Sequence, residues 1–133
     1  MELVDDGMAA TPAKTAASLR SRPADSIVLV AGGDTVSAGL PVHATPEEQR
    51  LLEEACAAAR RAARHVVLFG PAADRIAPLL DPARTRIADD VESAIARAGD
   101  CLAGAEALVV APMFPLTLEA RERIAPALRA IAR

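Results

Sequence analysis

Four short apolar runs in this chain each end in residues that could serve a ligand. Leu3-Val4 leads to Asp5-Asp6-Gly7-Met8, Ile27–Ala31 to Gly32-Gly33-Asp34, Val66–Phe69 to Gly70, and Ala107–Ala111 to Pro112-Met113. Carboxylates at such turns can accept hydrogen bonds from hydroxyl or ammonium groups, and glycines let a main chain approach an anion closely. A phosphate cradle asks for more. The P-loop needs G-x-x-x-x-G-K followed by Ser or Thr, and a dinucleotide site needs G-x-G-x-x-G opening a helix. Neither pattern occurs, so Gly32-Gly33 is expected first as a tight turn. The paired acids Asp5-Asp6 suit a phosphoreceiver domain, but the run ending at Phe69-Gly70 supplies no acceptor aspartate and no lysine follows the last run. His43 and His65 stand apart from any Cys, Asp or Glu at ligand spacing, and are expected as loop and strand-start residues. None of the serines lies in a G-x-S-x-G elbow. No catalytic residue and no metal ligand is assigned.

The elements that must position these turns follow from periodicity and capping. Glu2–Val4 is extended. Thr11-Pro12 is an N-cap followed by proline at the first helical position, opening a helix over about residues 12–21 that Pro23 stops. Ser26–Ala31 is apolar on both faces, as a strand covered on both sides must be. Residues 35–44 are expected as a loop. Thr45-Pro46-Glu47-Glu48 is a capping-box pattern, and Leu51, Leu52, Ala55, Ala59, Ala62 and Ala63 recur at helical spacing, giving a long helix over about 46–63. His65–Phe69 is a second buried strand, Ala72–Leu80 a short helix loosened by Pro78, and Arg84–Ala88 an edge strand. Asp89 or Asp90 caps a helix with Val91, Ala94, Ile95, Ala98 and Leu102 on one face. Ala107–Ala111 is the last strand, and Thr117 caps a terminal helix that Pro126 is expected to kink or divide. Strand and helix alternate with crossovers long enough for parallel pairing. The expected fold is α/β, a Rossmann-like three-layer sandwich with a mostly parallel sheet of five or six strands and helices on both faces. In such a sheet the turns after the strands gather along one edge, where ligands bind.

Composition narrows the function classes. A chain of 133 residues is expected as a single domain over 1–133, large enough to bury about two-thirds of its unfolded surface. Hydrophobic residues make up 52% but aromatics only 2%, so the core must be aliphatic and base-stacking platforms are missing. Net charge is −3, and the 15 basic residues are scattered, which speaks against nucleic acid as a partner. Cys56 and Cys101 lie in apolar helical patterns away from metal or redox spacings, as reduced, buried thiols of a cytoplasmic protein do. No apolar run reaches the ~18 residues of a membrane span, and no basic-then-apolar leader is present at the start, so no membrane partner is expected.

The order of motifs resembles a known family. D-D-G-M-A-A-T-P-A-K-T-A-A-S-L, then I-V-L-V-A-G-G-D, then H-V-V-L-F-G-P-A-A-D-R-I-A, then D-V-E-S-A-I ahead of A-L-V-V-A-P, is similar to the C-terminal domain of the Mur ligases, closest to those that add D-glutamate. The resemblance spans nearly the whole chain. It implies a share in peptidoglycan precursor synthesis, in which ATP activates a carboxylate as an acyl phosphate that an amino acid then attacks. In that family a first domain binds the UDP-sugar and a central domain carries the P-loop and magnesium ligands. The third positions the incoming amino acid and closes over the nucleotide. By that comparison the chain corresponds to the third domain alone, ATP and Mg would come only through a missing or separate central domain, and the implied partner is an ATP-binding ligase domain or subunit.

The resemblance also implies a site. Asp6 takes the place of the nucleotide-facing aspartate, and the pocket would comprise Gly7, Met8, Ala10, Thr11, Gly32, Gly33, Asp34, Val36, Pro112, Met113 and Leu116. The departures fall on the polar donors. The lysine and threonine of the family's first motif are Met8 and Ala10 here, the second motif's lysine is missing after Asp34, and the third motif's serine gives way to an apolar Met113–Leu116 stretch. Hydrogen bonds to charged groups are worth roughly 1.5–3 kcal/mol each, so a D-glutamate site without them is degenerate. The other implied possibility is a freestanding, non-catalytic binding module that kept the ligase fold.

Overall fold

The computed structural model describes residues 1–8 and 11–132. The chain runs through β1 (Glu2–Asp5), α1 (Pro12–Arg20), β2 (Ile27–Gly32), the two-residue strands β3 (Val36–Ser37) and β4 (Leu40–Pro41), α2 (Pro46–Ala62) and β5 (Ala63–Phe69). It continues through α3 (Ala73–Ile76), β6 (Thr85–Ala88), α4 (Val91–Gly99), β7 (Ala107–Met113) and α5 (Leu118–Ala132). Five strands form one sheet in the order β1-β7-β2-β5-β6, and every pairing is parallel. This is the expected Rossmann-like three-layer sandwich.

The layers follow from the alternation of side chains along buried strands. Ile27, Leu29 and Ala31 of β2 point into one core with Leu19 of α1, Leu52, Ala55 and Cys56 of α2, and Ile76 of α3. Val28 and Val30 point the other way, into a core with Val91, Ala94 and Ile95 of α4 and Ile124 and Leu128 of α5. All six residues of β2 are buried, as its unbroken apolar run requires. Alanines line the helix faces toward the sheet, so α1 and α2 can lie close to it and to one another.

Some expectations need correcting. Residues 35–44 are not a plain loop, because β3 and β4 pair there as a short antiparallel ribbon. Residues 72–80 split into α3 and a 3-10 turn at Ala77–Leu79, where Pro78 has no N–H to continue an α-helix. α5 runs undivided through Pro126, with Ile124 and Leu128 buried on either side of it. α4 ends at Gly99, so Cys101 and Leu102 follow the helix rather than belong to it, although both pack against the α4/α5 core. Cys101 is partly exposed, against the expectation of a buried thiol.

The largest departure is in β7, which continues through Pro112 and Met113 where the sequence places a turn. Its register with β2 shifts between Val30↔Val110 and Gly32↔Met113, a bulge that gives β7 one residue more than its partner. Pro112 sits in that bulge, the one kind of interior strand position where a missing N–H is tolerated. Met113 leaves it at φ +73, redirecting the chain across the end of β2.

Burial separates the two thiols chemically. Loss of hydration pushes Cys56 up to about 12, so it stays protonated at neutral pH. One thiol per native chain should react with a thiol-specific reagent at pH 8, and two after unfolding in guanidinium. Equal native reactivity of both would show that α2 opens readily.

Candidate functional site

α1, α4 and α5 each follow a strand of the parallel sheet and α2 follows the ribbon that leaves β2, so all four start at the edge where the strands end. Their starts are capped by the residues expected to cap them. Thr11 accepts from the Lys14 N–H, Thr45 and Glu48 form a reciprocal capping box, Asp90 accepts from the Ser93 N–H, and Thr117 from the Ala120 N–H. At the end of β1 the Asp5 carboxylate accepts from the Gly7 N–H at 2.9 Å, and the Asp6 N–H donates to Val110 at 2.9 Å. The turn is thereby fixed on β7, while the Asp6 carboxylate has no hydrogen-bond or ion-pair partner among the described residues.

The glycine pair is gripped by main chain on both sides. The Gly33 N–H donates to Phe69, the Phe114 N–H to Gly32, and the Asp34 N–H to Pro115. A Cβ on Gly32 would lie 2.0 Å from the Phe69 carbonyl oxygen, and one on Gly33 2.7 Å from those of Phe114 and Pro115. Main chain packs on main chain here, and in place of the expected tight turn Gly32 ends β2 and Gly33-Asp34 leave it between β5 and the residues after β7.

That contact also decides where a ligand can go. The crevice between β2 and β7, where the chain leaves toward opposite faces, is the usual ligand position in an open α/β sheet. Here residues 113–115 cross it, and Pro112, Met113 and Phe114 are buried. Of the expected pocket between Asp6, Asp34 and Met113, Met113 is fully buried in the core and Asp34 faces a cleft beside the crossing. Gly32 is sealed beneath the crossing, Val36 is 54% exposed on the ribbon and Met8 68% exposed. Thr11 caps α1, and Gly7 packs near Ile124 of α5. Ala10 lies outside the described residues.

An open cleft of about 250 Å³ lies beside the crossing, above the ends of β2, β5 and β6 and between the first turns of α4 and α5. Gly33, Asp34 and Leu116 are the expected residues that reach it, and Gly70 joins them. Its apolar floor is Phe69, Val91, Leu116 and Ala120, and its rim carries Asp34, Asp89, Asp90 and Glu119. Among the described residues Arg123 is the one base in the lining, and it donates to Glu119 at 2.7 Å and to Glu92. A backbone hydrogen bond from Ser93 holds the Asp90 carboxyl below its usual range, so it is ionised at neutral pH. An acidic rim over an apolar floor suits a ligand with a cationic or hydroxyl head and an apolar body. It disfavours a free carboxylate. Among the described residues no group of three or more His, Cys, Asp or Glu is placed to hold a metal ion, and no helix is long and apolar enough to cross a membrane.

Asp89, Asp90, Thr117, Glu119 and Arg123 were not expected as site residues. The signal was present in part, because Asp90 and Thr117 are helix caps and every cap after a parallel strand falls on this edge. Glu119 and Arg123 enter because they lie in the first two turns of α5, beside the cleft.

On the opposite face a second cluster ties the ribbon segment down. Arg75 donates to the carbonyls of Val42 and His43 and to Gln49, and its guanidinium lies 5.1 Å from the centre of the Phe114 ring. The His43 ring meets Phe114 edge-on, and its Nδ1 lies 3.5 Å from Glu48. His43 is therefore not isolated, since the chain turns back at the α2 cap to bring a carboxylate beside it.

No protein-family model matches the chain, and no curated protein matches it.

The Glu48 carboxyl is held below its ordinary value, chiefly by the side-chain hydrogen bond with Thr45 and then by the Thr45 backbone. A carboxyl more acidic when folded stabilises the fold above its unfolded value, and that contribution is lost as pH falls through the folded one. Thr45→Ala should lower the urea midpoint at pH 7 and flatten the loss of stability below about pH 4.5. An unchanged acid slope would remove the capping box as its source.

Proposed function

We propose that the chain is the C-terminal-type domain of an ATP-dependent, Mur-class amide ligase of peptidoglycan precursor synthesis, acting with a separate P-loop unit. The supporting observation is the placement of Asp6. Its main chain is fixed to β7, its carboxylate has no partner among the described residues, and it stands on the same edge as the open cleft. Two strand positions, about 10 Å, separate the ends of β1 and β2. Such an edge can meet a nucleotide at one point and a small amine at another.

The chemistry divides accordingly. The P-loop unit supplies ATP and Mg and transfers a phosphoryl group to a carboxylate. The amine of the incoming amino acid attacks that acyl phosphate, an amide bond forms and phosphate leaves. This chain would hold the amine and close the site against water, which would otherwise hydrolyse the acyl phosphate. The acids on the cleft rim favour an ammonium group and oppose a second carboxylate, so an apolar amino acid fits better than D-glutamate.

The closed β2/β7 crevice favours a second function, a non-catalytic binding module that kept the ligase fold. Calorimetric titration with ATP, D-glutamate and apolar amino acids separates the two. The ligase assignment requires weak binding of nucleotide or an apolar amino acid, lost in Asp6→Ala with the melting temperature unchanged. No heat and no thermal shift with any of these ligands would leave the binding module.

A further inference from the structure

The opposite edge of the sheet, where the strands begin, carries a different charge. Asp25 precedes β2, Arg64 and His65 open β5, and Arg84 precedes β6. Because β2, β5 and β6 are neighbours, these four side chains meet and line a hollow of about 260 Å³. Two guanidiniums against one carboxylate give the lining a formal charge of 2 − 1 = +1 with His65 neutral.

The donors are incompletely used. Arg84 Nη1 lies 2.6 Å from the Asp25 carboxylate, and its Nε 3.7 Å from Asp81. Arg64 donates only a long bond, 3.4 Å, to the Asp25 carbonyl, and its buried Nε has no acceptor. Nearby, Arg60 donates to the carbonyl of Leu79, and Arg61 to those of Leu19 and Arg20. Neutral carbonyls leave those positive charges uncompensated. A buried guanidinium donor without an acceptor among the described residues is uncommon in a folded protein. Arginine forks match the oxygen spacing of phosphate, and both nearby carboxylates, Asp25 and Asp81, pair with Arg84, leaving the Arg64 fork without one among the described residues.

We infer that Arg64, Arg84 and His65 form a site for a small phosphate-type oxyanion, with the Asp25 carboxylate as its internal competitor. The oxyanion takes the Arg84 contact that Asp25 holds and adds one to Arg64. The hollow admits inorganic phosphate or the head of a phosphate monoester rather than a whole nucleotide, since drug-sized ligands fill roughly 300–1,000 Å³. The site lies at the far end of the sheet from Asp6 and stands independently of the ligase proposal.

The test is calorimetric titration of the intact chain with inorganic phosphate and with glycerol phosphate, against sodium chloride at matched ionic strength. Saturable binding of the phosphates alone is expected. Arg64→Gln should weaken it at least tenfold, about 1.4 kcal/mol. Arg84→Gln, at a half-exposed position where folding is not at risk, should do the same. Asp25→Asn should tighten binding severalfold, because it frees Arg84, and asparagine tolerates the φ of +52 found there. Asp6→Ala should change nothing. Binding that chloride reproduces, no saturation, indifference to Arg84→Gln, or weakening by Asp25→Asn would each overturn the site.

Discussion

The contact on which the structure depends is the passage of residues 113–115 over the end of β2. It is main chain against main chain, with two hydrogen bonds, Phe114 N–H to Gly32 and Asp34 N–H to Pro115, and no room for a Cβ on Gly33. The bulge at Pro112 aims the chain there, and the positive φ of Met113 carries it over. Once across, Phe114 drops into the core of the α1/α2 face, where Arg75 and His43 close on its ring. α5 then returns to the opposite face. One crossing thus fixes the end of β7, the ribbon segment, the start of α5 and the wall of the cleft. A side chain at Gly33 would disturb all of them together.

Much of the fold was legible because local signals and tertiary roles agree. The unbroken apolar run of β2 was read as a central strand, and the structure covers it on both sides. Thr11-Pro12, Thr45 with Glu48, Asp90 and Thr117 cap the helices they were expected to cap. What sequence could not supply was the path of the chain after Ala111. Pro112 signals the end of a ladder in most contexts, and only its partner strand shows that the ladder resumes after a bulge. The cleft beyond the crossing is hard to foresee for the same reason: the expected pocket draws on the ends of β1, β2 and β7, while the cleft extends over β5 and β6, where Asp89 and Asp90 carry only the signal of a helix cap and Glu119 carries none. Arg75 was likewise unmarked, because its acceptors are carbonyls and the face of one aromatic ring, and neither leaves a trace in spacing.

The two edges of the sheet divide the polar work. Along the edge where strands end, Thr11, Thr45, Asp90 and Thr117 accept from backbone N–H groups the helices leave free, and acids rim the cleft. Along the edge where strands begin, long arginines reach carbonyls that end α1 and the 3-10 turn after α3. Each edge satisfies its own kind of unpaired backbone group with the side chain of matching sign. The apolar middle is left almost entirely to aliphatic residues, and this is how a chain nearly free of aromatics builds a core.

The common direction of the helices has a consequence at long range. Acids cluster in first turns, as Glu47, Glu48, Glu92 and Glu119 do, and bases in last turns, as Arg20, Arg60, Arg61, Arg97 and Arg129 do. Because all the longer helices point the same way, these end charges add along the strand axis instead of cancelling, and the peptide dipoles add with them. The molecule is an electric dipole with a modest net charge. In physiological salt its field extends about 8 Å from the surface. Within that distance a charged body experiences a torque before it makes contact, so the protein turns its carboxylate pole toward cations and its guanidinium pole toward anions during encounter.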